Sequence, residues 1–389
     1  MKIIYLTTAQ DEKDYRSFMK VWKIPLNSSN QNFHEKFIRS LAINNQVDVI
    51  SVRPFSRSKT KVGKLKPETK SMGNLTWHYV VRKGGRISRA LFTKGQVESV
   101  LKTLDYKNSV VITDTINKTI VKSIASLKKK YNLKVLGVCT DSPSNISGTK
   151  RSYTMFLLEN CKDFDGYIAL TSGLNDLFNP SGKPSYIFEG IVEDRSFKPS
   201  EEKKNDYFFF GGALMEKYGV YKLIEAFKEL NPKDVDLYIC GHHGDKEKIK
   251  DASKGYSNIK FLGLLPMNKV MEYESQSLAC INPRPYSQDL DRFSIPSKTL
   301  EYMSMGRPVI SVKNTILMEK FPDEVIWIDS PNHKDLVPAL EEVINMSKKE
   351  RNDLGTKAKN RVLSLYSLDS ISKSIQPFLL KFASKNIVD

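Results

Sequence analysis

The sequence predicts an α/β protein built from two doubly wound domains of similar size. Short apolar runs alternate with amphipathic stretches along the whole chain, which is typical of parallel sheets covered by helices on both faces. A polar, proline-containing stretch at 192–206 interrupts this alternation near the middle of the chain and is typical of an interdomain linker. With 389 residues, of which 40% are hydrophobic and 27% charged, the chain is long enough to bury two cores.

The first half contains the elements of one such domain, which we place at residues 1–190. Apolar runs predict strands at 2–6, 47–52, 77–81, 109–113, 134–139, 167–170 and 185–188. Amphipathic spacing predicts helices between them at 33–44, 115–130 and 150–162. Asn32 followed three residues later by Glu35 is the pattern of a capping box, so we expect the first of these helices to begin there.

The second half repeats the pattern, and we place its domain at residues 200–365. Strands are predicted at 207–212, 236–241, 259–263, 278–283, 307–312 and 324–328. Helices are predicted at 219–230, 244–253, 267–276, 296–305 and 313–320. From Leu365 to Ala383 apolar residues recur at helical spacing, and Pro377 is expected to bend or break that last helix. Doubly wound sheets bind ligands at the carboxyl ends of their strands, so the cleft between two such sheets is the expected active site.

Cysteine usage and hydropathy indicate a reducing compartment. The four cysteines stand singly, and three of them end or lie in apolar runs, which suits small buried hydrophobes. There is no CxxC pair and no His/Cys cluster with zinc spacing, so we expect no structural metal. The N-terminal apolar run is too short for a signal sequence, and no window has the length of a membrane span. A cytoplasmic protein is therefore expected.

The charge is unevenly spread along the chain. Of the net +17, residues 1–190 carry 31 basic against 15 acidic side chains (+16), and residues 191–389 carry 30 against 29 (+1). The excess concentrates at 53–94, where aromatic and apolar residues are interleaved with it (Trp77, Tyr79, Leu91 and Phe92). This pattern favours an anionic partner, the alternative being a solvated loop that only aids solubility. The chain lacks RNP, KH and helix-turn-helix signatures, and its second half is balanced, so we expect no nucleic acid.

A strand, a Gly-Gly turn and a helix follow one another at 208–227 (FFFGGALMEKYGVYKLIEAF). Gly211 and Gly212 have no Cβ, so their backbone N–H groups can come close to a phosphate, and Lys217 can neutralise its charge. The spacing fits neither GxxxxGK nor GxGxxG. Taken alone, the turn is equally consistent with glycine used only for geometry.

A second helix start, in RFSIPSKTLEYMSMGRPVISV (292–312), carries a cation where the helix dipole disfavours one. Pro296 marks the start of the helix and Lys298 lies in its first turn, which indicates an anion bound there. Ser297 and Glu301 share one face, suited to a phosphate and to ribose hydroxyls. The alternative is a surface Lys298–Glu301 pair, worth about 0.2–0.5 kcal/mol. Two phosphate-suited turns in one domain favour a nucleotide diphosphate held between them.

These segments resemble a known family. GGALMEKYGVYKLIEAF, ICGHHGD, NIKFLGLLP, CINPRP and FSIPSKTLEYMSMGRPVI occur in the order and spacing of retaining glycosyltransferases of family four, in a subgroup with a Pro-Ser-Lys helix start. The resemblance implies the GT-B fold, with a nucleotide-sugar bound by the C-terminal domain and the acceptor by the N-terminal domain. It also implies that the last helix (366–389) packs back on the first domain. The implied donor is a UDP-sugar, transferred without a metal or other cofactor.

The resemblance assigns roles residue by residue. The implied donor-binding residues are Gly211, Gly212, Lys217, Gly241, Gly263, Leu264, Arg284, Ser297, Lys298, Thr299 and Glu301. Gly263 and Leu264 match the base-binding strand end, and Glu301 the ribose-binding glutamate. Lys217 and Arg284 are the expected catalytic cations that stabilise the departing diphosphate. Asp141, in CTDSPSN, is expected to orient the acceptor hydroxyl or the donor sugar, its alternative being an Asx turn before Pro143.

Departures from the family pattern keep other functions open. The first glutamate of the E-x7-E motif falls on Phe293, so its carboxylate is missing or is supplied by Asp289 or Asp291. A non-catalytic nucleotide-sugar-binding protein or partner subunit is therefore one alternative, and a nucleotide-sugar epimerase is another. The latter needs acid/base groups that the sequence does not place.

The histidines and the basic stretch complete the expectations. His34 either faces the cleft or lies on the surface, and His242 and His243 read as loop residues. Acceptors in cell-surface polysaccharide assembly are often lipid-linked diphosphates. Residues 53–94 are therefore the expected docking surface for an anionic membrane.

Overall fold

The computed structural model describes residues 1–22, 28–53, 66–81, 88–145, 150–194, 206–242, 244 and 246–384. These fall into two compact units. The first unit comprises Met1–Ile191, Arg292–Ser294 and Leu368–Asp389, and the second comprises Val192–Asp291 and Ile295–Ser367. His243 and two parts of the basic stretch (54–65 and 82–87) lie outside the described residues.

The first unit is built on an eight-stranded sheet. Its strands are β1 (Lys2–Thr7), β2 (Gln46–Arg53), β3 (Glu68–Met72), β4 (Leu75–Val81), β5 (Ser109–Asp114), β6 (Val135–Cys139), β7 (Gly166–Ala169) and β8 (Ser185–Ile187). The strand order is β3-β4-β2-β1-β5-β6-β7-β8, and all neighbours are parallel except the antiparallel pair β3–β4. The inner strands are almost entirely apolar because helices cover both faces of the sheet.

Helices of the first unit follow the strands in alternation. They are α1 (Glu12–Trp22), α2 (Ser28–Asn44), α3 (Ser88–Leu101), α4 (Lys118–Tyr131), α5 (Arg151–Cys161) and α6 (Ser172–Phe178). Local sequence explains the bounds of α4: the Asn117 side chain accepts hydrogen bonds from two first-turn amides, and Asn132 ends the helix with φ 51°. Apolar residues of α4, such as Ile120, Ile124 and Leu127, point into the core of the unit.

The second unit contains a six-stranded, fully parallel sheet. Its strands are β9 (Asp206–Ala213), β10 (Val235–His242), β11 (Ile259–Gly263), β12 (Ala279–Asn282), β13 (Val309–Val312) and β14 (Ile326–Ile328). They are ordered β11-β10-β9-β12-β13-β14. The order reverses direction between β9 and β12, which is the switch point at which doubly wound sheets bind ligands.

Eight helices accompany this sheet in the described part of the second unit. They are α7 (Val220–Leu230), α8 (Lys246–Ala252), α9 (Met267–Gln276), α10 (Gln288–Phe293), α11 (Ser297–Ser304), α12 (Thr315–Lys320), α13 (His333–Asn345) and α14 (Lys348–Tyr366). The last residues of α10 count with the first unit. Phe208, Leu223 and Phe227 are among the apolar side chains that join β9 and α7 in the core.

The last helix, α15 (Leu368–Ser384), belongs to the first unit and packs on α2. Ser40 donates a hydrogen bond to the carbonyl of Leu368 (2.8 Å), and Asn44 donates to the hydroxyl of Ser372 (2.8 Å). Pro377 lies inside α15, and the helix continues through it to Ser384. The proline therefore does not break the helix.

The two doubly wound parallel sheets confirm the predicted fold class, and local differences have physical causes. Strand β3 escaped prediction because it is a charged edge strand whose side chains are mostly exposed, so its sequence shows no apolar alternation. The capping-box prediction is wrong, since α2 begins at Ser28 and Asn32 lies in its second turn. All four cysteines are free and buried, as expected. Burial raises the pKa of each thiol, which makes them unreactive.

Candidate active site

The candidate site lies at the carboxyl edge of the second sheet. Parallel pairing brings Gly212 of β9 beside Gly241 of β10, and Asn282 of β12 beside Ser311 of β13. The residues that follow these strands therefore meet at one edge. This edge holds most of the predicted donor-binding residues.

The two glycines of the Gly-Gly turn differ: the backbone of Gly211 is hydrogen-bonded to a side chain, and the backbone of Gly212 has space beside it. The N–H of Gly211 donates to the hydroxyl of Tyr302 (3.0 Å), and that hydroxyl donates to the carbonyl of Gly211 (3.1 Å). The Gly211 amide is thus engaged by the hydroxyl of Tyr302. A Cβ on Gly212 would approach no atom more closely than 3.4 Å, so the Gly212 backbone has room beside it.

A tight contact fixes the Lys217 turn. Glu216–Tyr218 form a 3-10 turn, and Gly219 follows with φ 78° before α7 begins. A Cβ on Gly219 would lie 1.9 Å from the carbonyl oxygen of Pro283. This turn therefore packs directly against the residue that precedes Arg284. Lys217 is exposed, with its ammonium 5.2 Å from the ring centroid of Tyr218.

Lys298, at the start of α11, lies between two carboxylates. Its ammonium is 2.9 Å from Glu301, one turn further along α11, and 3.9 Å from Glu274 of α9. Burial of the ammonium works to lower the pKa of Lys298, but the charges of Glu301 and Glu274 outweigh it and hold this pKa well above its ordinary value. The Lys298–Glu301 pair, which the sequence offered as the alternative to a bound anion, is present. Glu274 was not predicted, because one glutamate in an amphipathic helix gives no sign of being buried.

The other predicted residues of α11 differ in exposure. Ser297 is exposed at the first helical position. Thr299 is fully buried, and its hydroxyl joins a network with the amide of Asn282 (2.8 Å) and the hydroxyl of Ser311 (3.0 Å). The Thr299 side chain therefore connects α11 to β12 and β13.

The ends of β10 and β11 carry the remaining predicted glycines. A Cβ on Gly241 would lie 1.7 Å from the carbonyl oxygen of Gly212, so β9 and β10 approach closely there. Gly263 ends β11 with φ 70° and has open space around it. Leu264, which follows, is 67% exposed. An exposed apolar side chain at a strand end can pack against the face of a base.

Asp289 and Asp291, the two candidates to replace the missing motif glutamate, have different surroundings. The carboxylate of Asp291 accepts hydrogen bonds from the Asn314 side chain and from the backbone N–H (2.9 Å) and hydroxyl (2.6 Å) of Thr315. Asp291 thus closes the amino end of α12, and Asp289 is exposed. Phe293, which counts with the first unit, packs against that unit's apolar core.

At the carboxyl edge of the first sheet, polar side chains are buried. His34 is fully buried, which excludes the surface alternative, and its Nδ1 lies 2.6 Å from the hydroxyl of Tyr5. Its Nε2 is 3.7 Å from Asp114, at the end of β5. Burial lowers the pKa of His34 below its ordinary value, and the charge of Asp114 opposes this shift without reversing it. Asp141 follows β6 and is half-buried.

The predicted docking surface is partly wrong. Trp77 and Tyr79 are buried in β4, with their rings stacked 5.9 Å apart, so neither can meet a membrane. Leu91 and Phe92 of α3 are 72% and 42% exposed.

The described residues contain neither a cluster suited to a metal ion nor a helix suited to span a membrane. Within the described ranges, no group of three or more His, Cys, Asp or Glu side chains is arranged to hold a metal ion. No described helix combines the length and apolar character needed to span a bilayer.

Residues 192–361 match the family model described as "Glycosyl transferases group 1". No curated protein sequence matches the chain. Among solved structures, it is similar to trehalose-6-phosphate synthase OtsA (TM-score 0.70, 10% identity, covering 98% of this chain and 99% of that one). It is also similar to sucrose-phosphate synthase from Thermosynechococcus elongatus (TM-score 0.67, 13% identity, covering 99% and 100%). A third similar structure is Anabaena Alr3699/HepE in complex with UDP and glucose (TM-score 0.69, 12% identity, covering 98% and 100%).

At these identities the structural similarity defines the fold, and the family match defines the part of the chain that carries the candidate site. The chain has the GT-B fold of two Rossmann-like units, and its residues 192–361 match the model of the group 1 glycosyl transferases.

Proposed function

We propose that this protein is a retaining glycosyltransferase that moves a sugar from a nucleoside-diphosphate donor to a glycan or lipid-linked acceptor. The observation that carries the proposal is the position of Lys298. Its ammonium lies in the first turn of α11, next to Glu301, in the segment that matches the group 1 family. A helix start with an ammonium is an anion site, and a carboxylate one turn later can accept ribose hydroxyls.

The diphosphate is proposed to lie among three cations. Lys298 meets it from the start of α11, and Arg284 and Lys217 meet it from the two loops that Gly219 and Pro283 hold together. Positive charge placed in advance stabilises the oxygen that departs with the diphosphate. Removing one such donor typically slows catalysis by about a hundredfold or more.

The donor is proposed to be a UDP-sugar. HepE, which shares the fold, is solved with UDP and glucose, and the exposed Leu264 at the end of β11 suits the face of a base. The three cations supply the charge that a divalent metal supplies in other transferases, so the proposal includes no metal. Retention of configuration follows from attack on the face that the diphosphate leaves, with Asp141 orienting the acceptor hydroxyl or the donor sugar.

The acceptor is proposed to be lipid-linked, as in cell-surface polysaccharide synthesis, and to be met at an anionic membrane. Leu91 and Phe92 expose neighbouring apolar side chains on α3, with Lys94 two residues further on. Apolar side chains beside cations are the pattern of interfacial attachment.

A second candidate function is a nucleotide-sugar-binding protein without transfer activity. Phe293 stands where the family has its first glutamate, and Asp291 is used to close α12. A site that lacks this carboxylate can hold the nucleotide and still fail to act on the sugar.

The test of the main proposal is a thermal-shift panel of UDP, GDP and UDP-sugars, followed by slow hydrolysis of any donor that stabilises the protein. We expect a rise in Tm with UDP and with one UDP-sugar, and release of the free sugar from the latter. Stabilisation without sugar release supports the second candidate. No stabilisation by any nucleotide overturns both.

The membrane proposal is tested by sedimentation with phosphatidylglycerol vesicles. We expect the double variant Leu91→Ser, Phe92→Ser to bind several-fold less, while donor hydrolysis stays unchanged. Met155→Ser is the matched control, since Met155 is a 61% exposed apolar side chain on another helix of the same unit. Equal binding of the wild type and the double variant contradicts this proposal.

A further inference from the structure

The carboxylates beside Lys298 differ in what they can do when a ligand arrives. Glu301 is about one-third exposed (32%), whereas Glu274 has no exposed surface. An exposed carboxylate can exchange an ammonium for ribose hydroxyls at little cost. A buried carboxylate cannot turn to water, and leaving it without a countercharge is strongly unfavourable.

The helix that carries Glu274 is fixed close to this residue. The hydroxyl of Tyr207 on β9 donates to the carbonyl of Tyr273 (2.9 Å), and the guanidinium of Arg307 donates to the carbonyl of Ser275 (2.6 Å). The hydroxyl of Ser277 donates to the carbonyl of Glu274 itself (3.0 Å). The backbone on both sides of Glu274 is thereby held by the side chains of Tyr207 and Arg307, so the helical turn that carries its buried carboxylate is fixed.

The ammonium is also confined on a third side. It lies 5.6 Å from the ring centroid of Tyr302, whose hydroxyl is held by Gly211. Lys298 therefore has one exchangeable neighbour, Glu301, and two fixed ones.

We infer that Glu274 is a positioning residue for the diphosphate: it keeps the Lys298 ammonium at the start of α11 while Glu301 turns to the ribose. This inference rests on the proposed function, since it assigns the ribose to Glu301 and the diphosphate to Lys298. Glu274 itself touches neither. In its absence Lys298 would keep Glu301 as its anionic partner and follow that side chain away from the phosphates.

Electrostatic repulsion by Glu274 would have the opposite effect on the affinity for a diphosphate. Glu274 is a negative charge close to the site of a negative ligand, so removing it should strengthen diphosphate binding if repulsion dominates. The two views can be separated by comparing a nucleoside diphosphate with its nucleoside, because only the former meets Lys298.

The experiment measures the affinities of UDP and uridine, and of GDP and guanosine, for the wild type and Glu274→Gln. We expect Glu274→Gln to weaken UDP about tenfold and uridine less than twofold. Glu274→Asp, which retains the charge, should restore part of the UDP affinity. Glu272→Gln is the matched control: Glu272 is a buried carboxylate of the same helix, paired with Lys269 at 2.7 Å, and its loss should leave both affinities unchanged.

The outcomes distinguish this inference from the proposed function. If the wild type binds neither nucleoside diphosphate, the proposed function fails and the inference fails with it. If the wild type binds UDP or GDP and Glu274→Gln binds it equally well or more tightly, the inference alone is overturned. An equal loss of nucleoside and diphosphate affinity also overturns it, since that is the signature of a merely structural residue.

Discussion

The carboxyl edges of the two sheets use polar residues in contrasting ways. In the first unit His34, Tyr5 and Asp114 are buried and contact one another, with the histidine pKa lowered by burial. In the second unit Lys298 keeps about one-third of its side chain exposed, and its pKa is raised by carboxylates. The first arrangement disfavours a charged histidine beside the buried carboxylate. The second concentrates charge where a ligand can reach it.

This difference shows that two sheets of the same fold can carry side chains of different charge and burial at equivalent edges. Both sheets are parallel at their centres, and both end their central strands in small or polar residues. What differs is the charge balance of the neighbouring helices, because α11 and α9 bring a lysine and two glutamates together. Four substitutions test this comparison, and they follow in order of decreasing expected effect.

The largest effect is expected from Lys298→Met. It leaves the buried Glu274 without the ammonium beside it, which should lower the free energy of unfolding by about 3 kcal/mol. Lys313→Met is the control, since Lys313 pairs with the exposed Asp329 at 2.7 Å and should cost under about 1 kcal/mol. Denaturant unfolding at neutral pH measures both. Equal losses in the two variants would show that Lys298 behaves as a surface residue.

Gly219→Ala should cost about 2–3 kcal/mol. The new Cβ meets the carbonyl of Pro283 at 1.9 Å, and φ is +78°, so the Lys217 turn must move away from the Arg284 loop. Gly255→Ala has a similar φ of +85° and open space around it, so it should lose only about 1 kcal/mol. A Tm comparison separates the contact from the backbone strain. If both alanines cost the same, the contact with Pro283 is unimportant.

Asp291→Ala should cost about 1–2 kcal/mol, because it removes the acceptor that closes the amino end of α12. Nucleotide affinity should stay within about twofold of the wild type if Asp291 has only this structural role. The exposed Asp289 gives the control substitution, Asp289→Ala, with little expected change in stability. A large loss of UDP-sugar affinity in Asp291→Ala alone would instead assign Asp291 to the donor sugar.

The smallest effect is expected on the pH dependence of the unfolding free energy, and it concerns His34 at the carboxyl edge of the first sheet. Because burial lowers the pKa of His34, the unfolded chain binds a proton that the folded state binds less readily, and stability falls as pH falls below about 6.5. This one group should remove at most about 1 kcal/mol between about pH 6.5 and 5.5. His34→Gln should have a shallower pH dependence of the unfolding free energy than the wild type. Identical slopes in the two proteins would show that His34 binds its proton equally well in the folded and unfolded states.

The sequence predicted the strands well where they are buried and less well where they are not. Runs such as 109–113 and 236–241 are apolar because both faces are covered, so their signal survives without knowledge of the fold. The charged edge strand β3 and the short helix α10 have no comparable pattern. Their conformation depends on neighbours that are distant in sequence.

The sequence indicated the segments that form the candidate site but not the contacts that their residues make. Gly212, Arg284 and Lys298 were recognised in local motifs, and they lie at one edge because strand ends in a parallel sheet converge. The partners of these residues lie on other elements: Tyr302 engages Gly211, and Glu274 reaches Lys298 from α9. The burial of Glu274 and of His34 results from tertiary packing, and no spacing in the sequence predicts it.

The paired hydrogen bonds of Tyr302 have a mechanical consequence. A single phenol oxygen contacts both the amide and the carbonyl of Gly211, so the second turn of α11 and the end of β9 are joined at one atom. Lys298 lies one helical turn before Tyr302, so the start of α11 and the Gly-Gly turn are coupled through this side chain. In Tyr302→Phe both hydrogen bonds are lost, and this coupling with them.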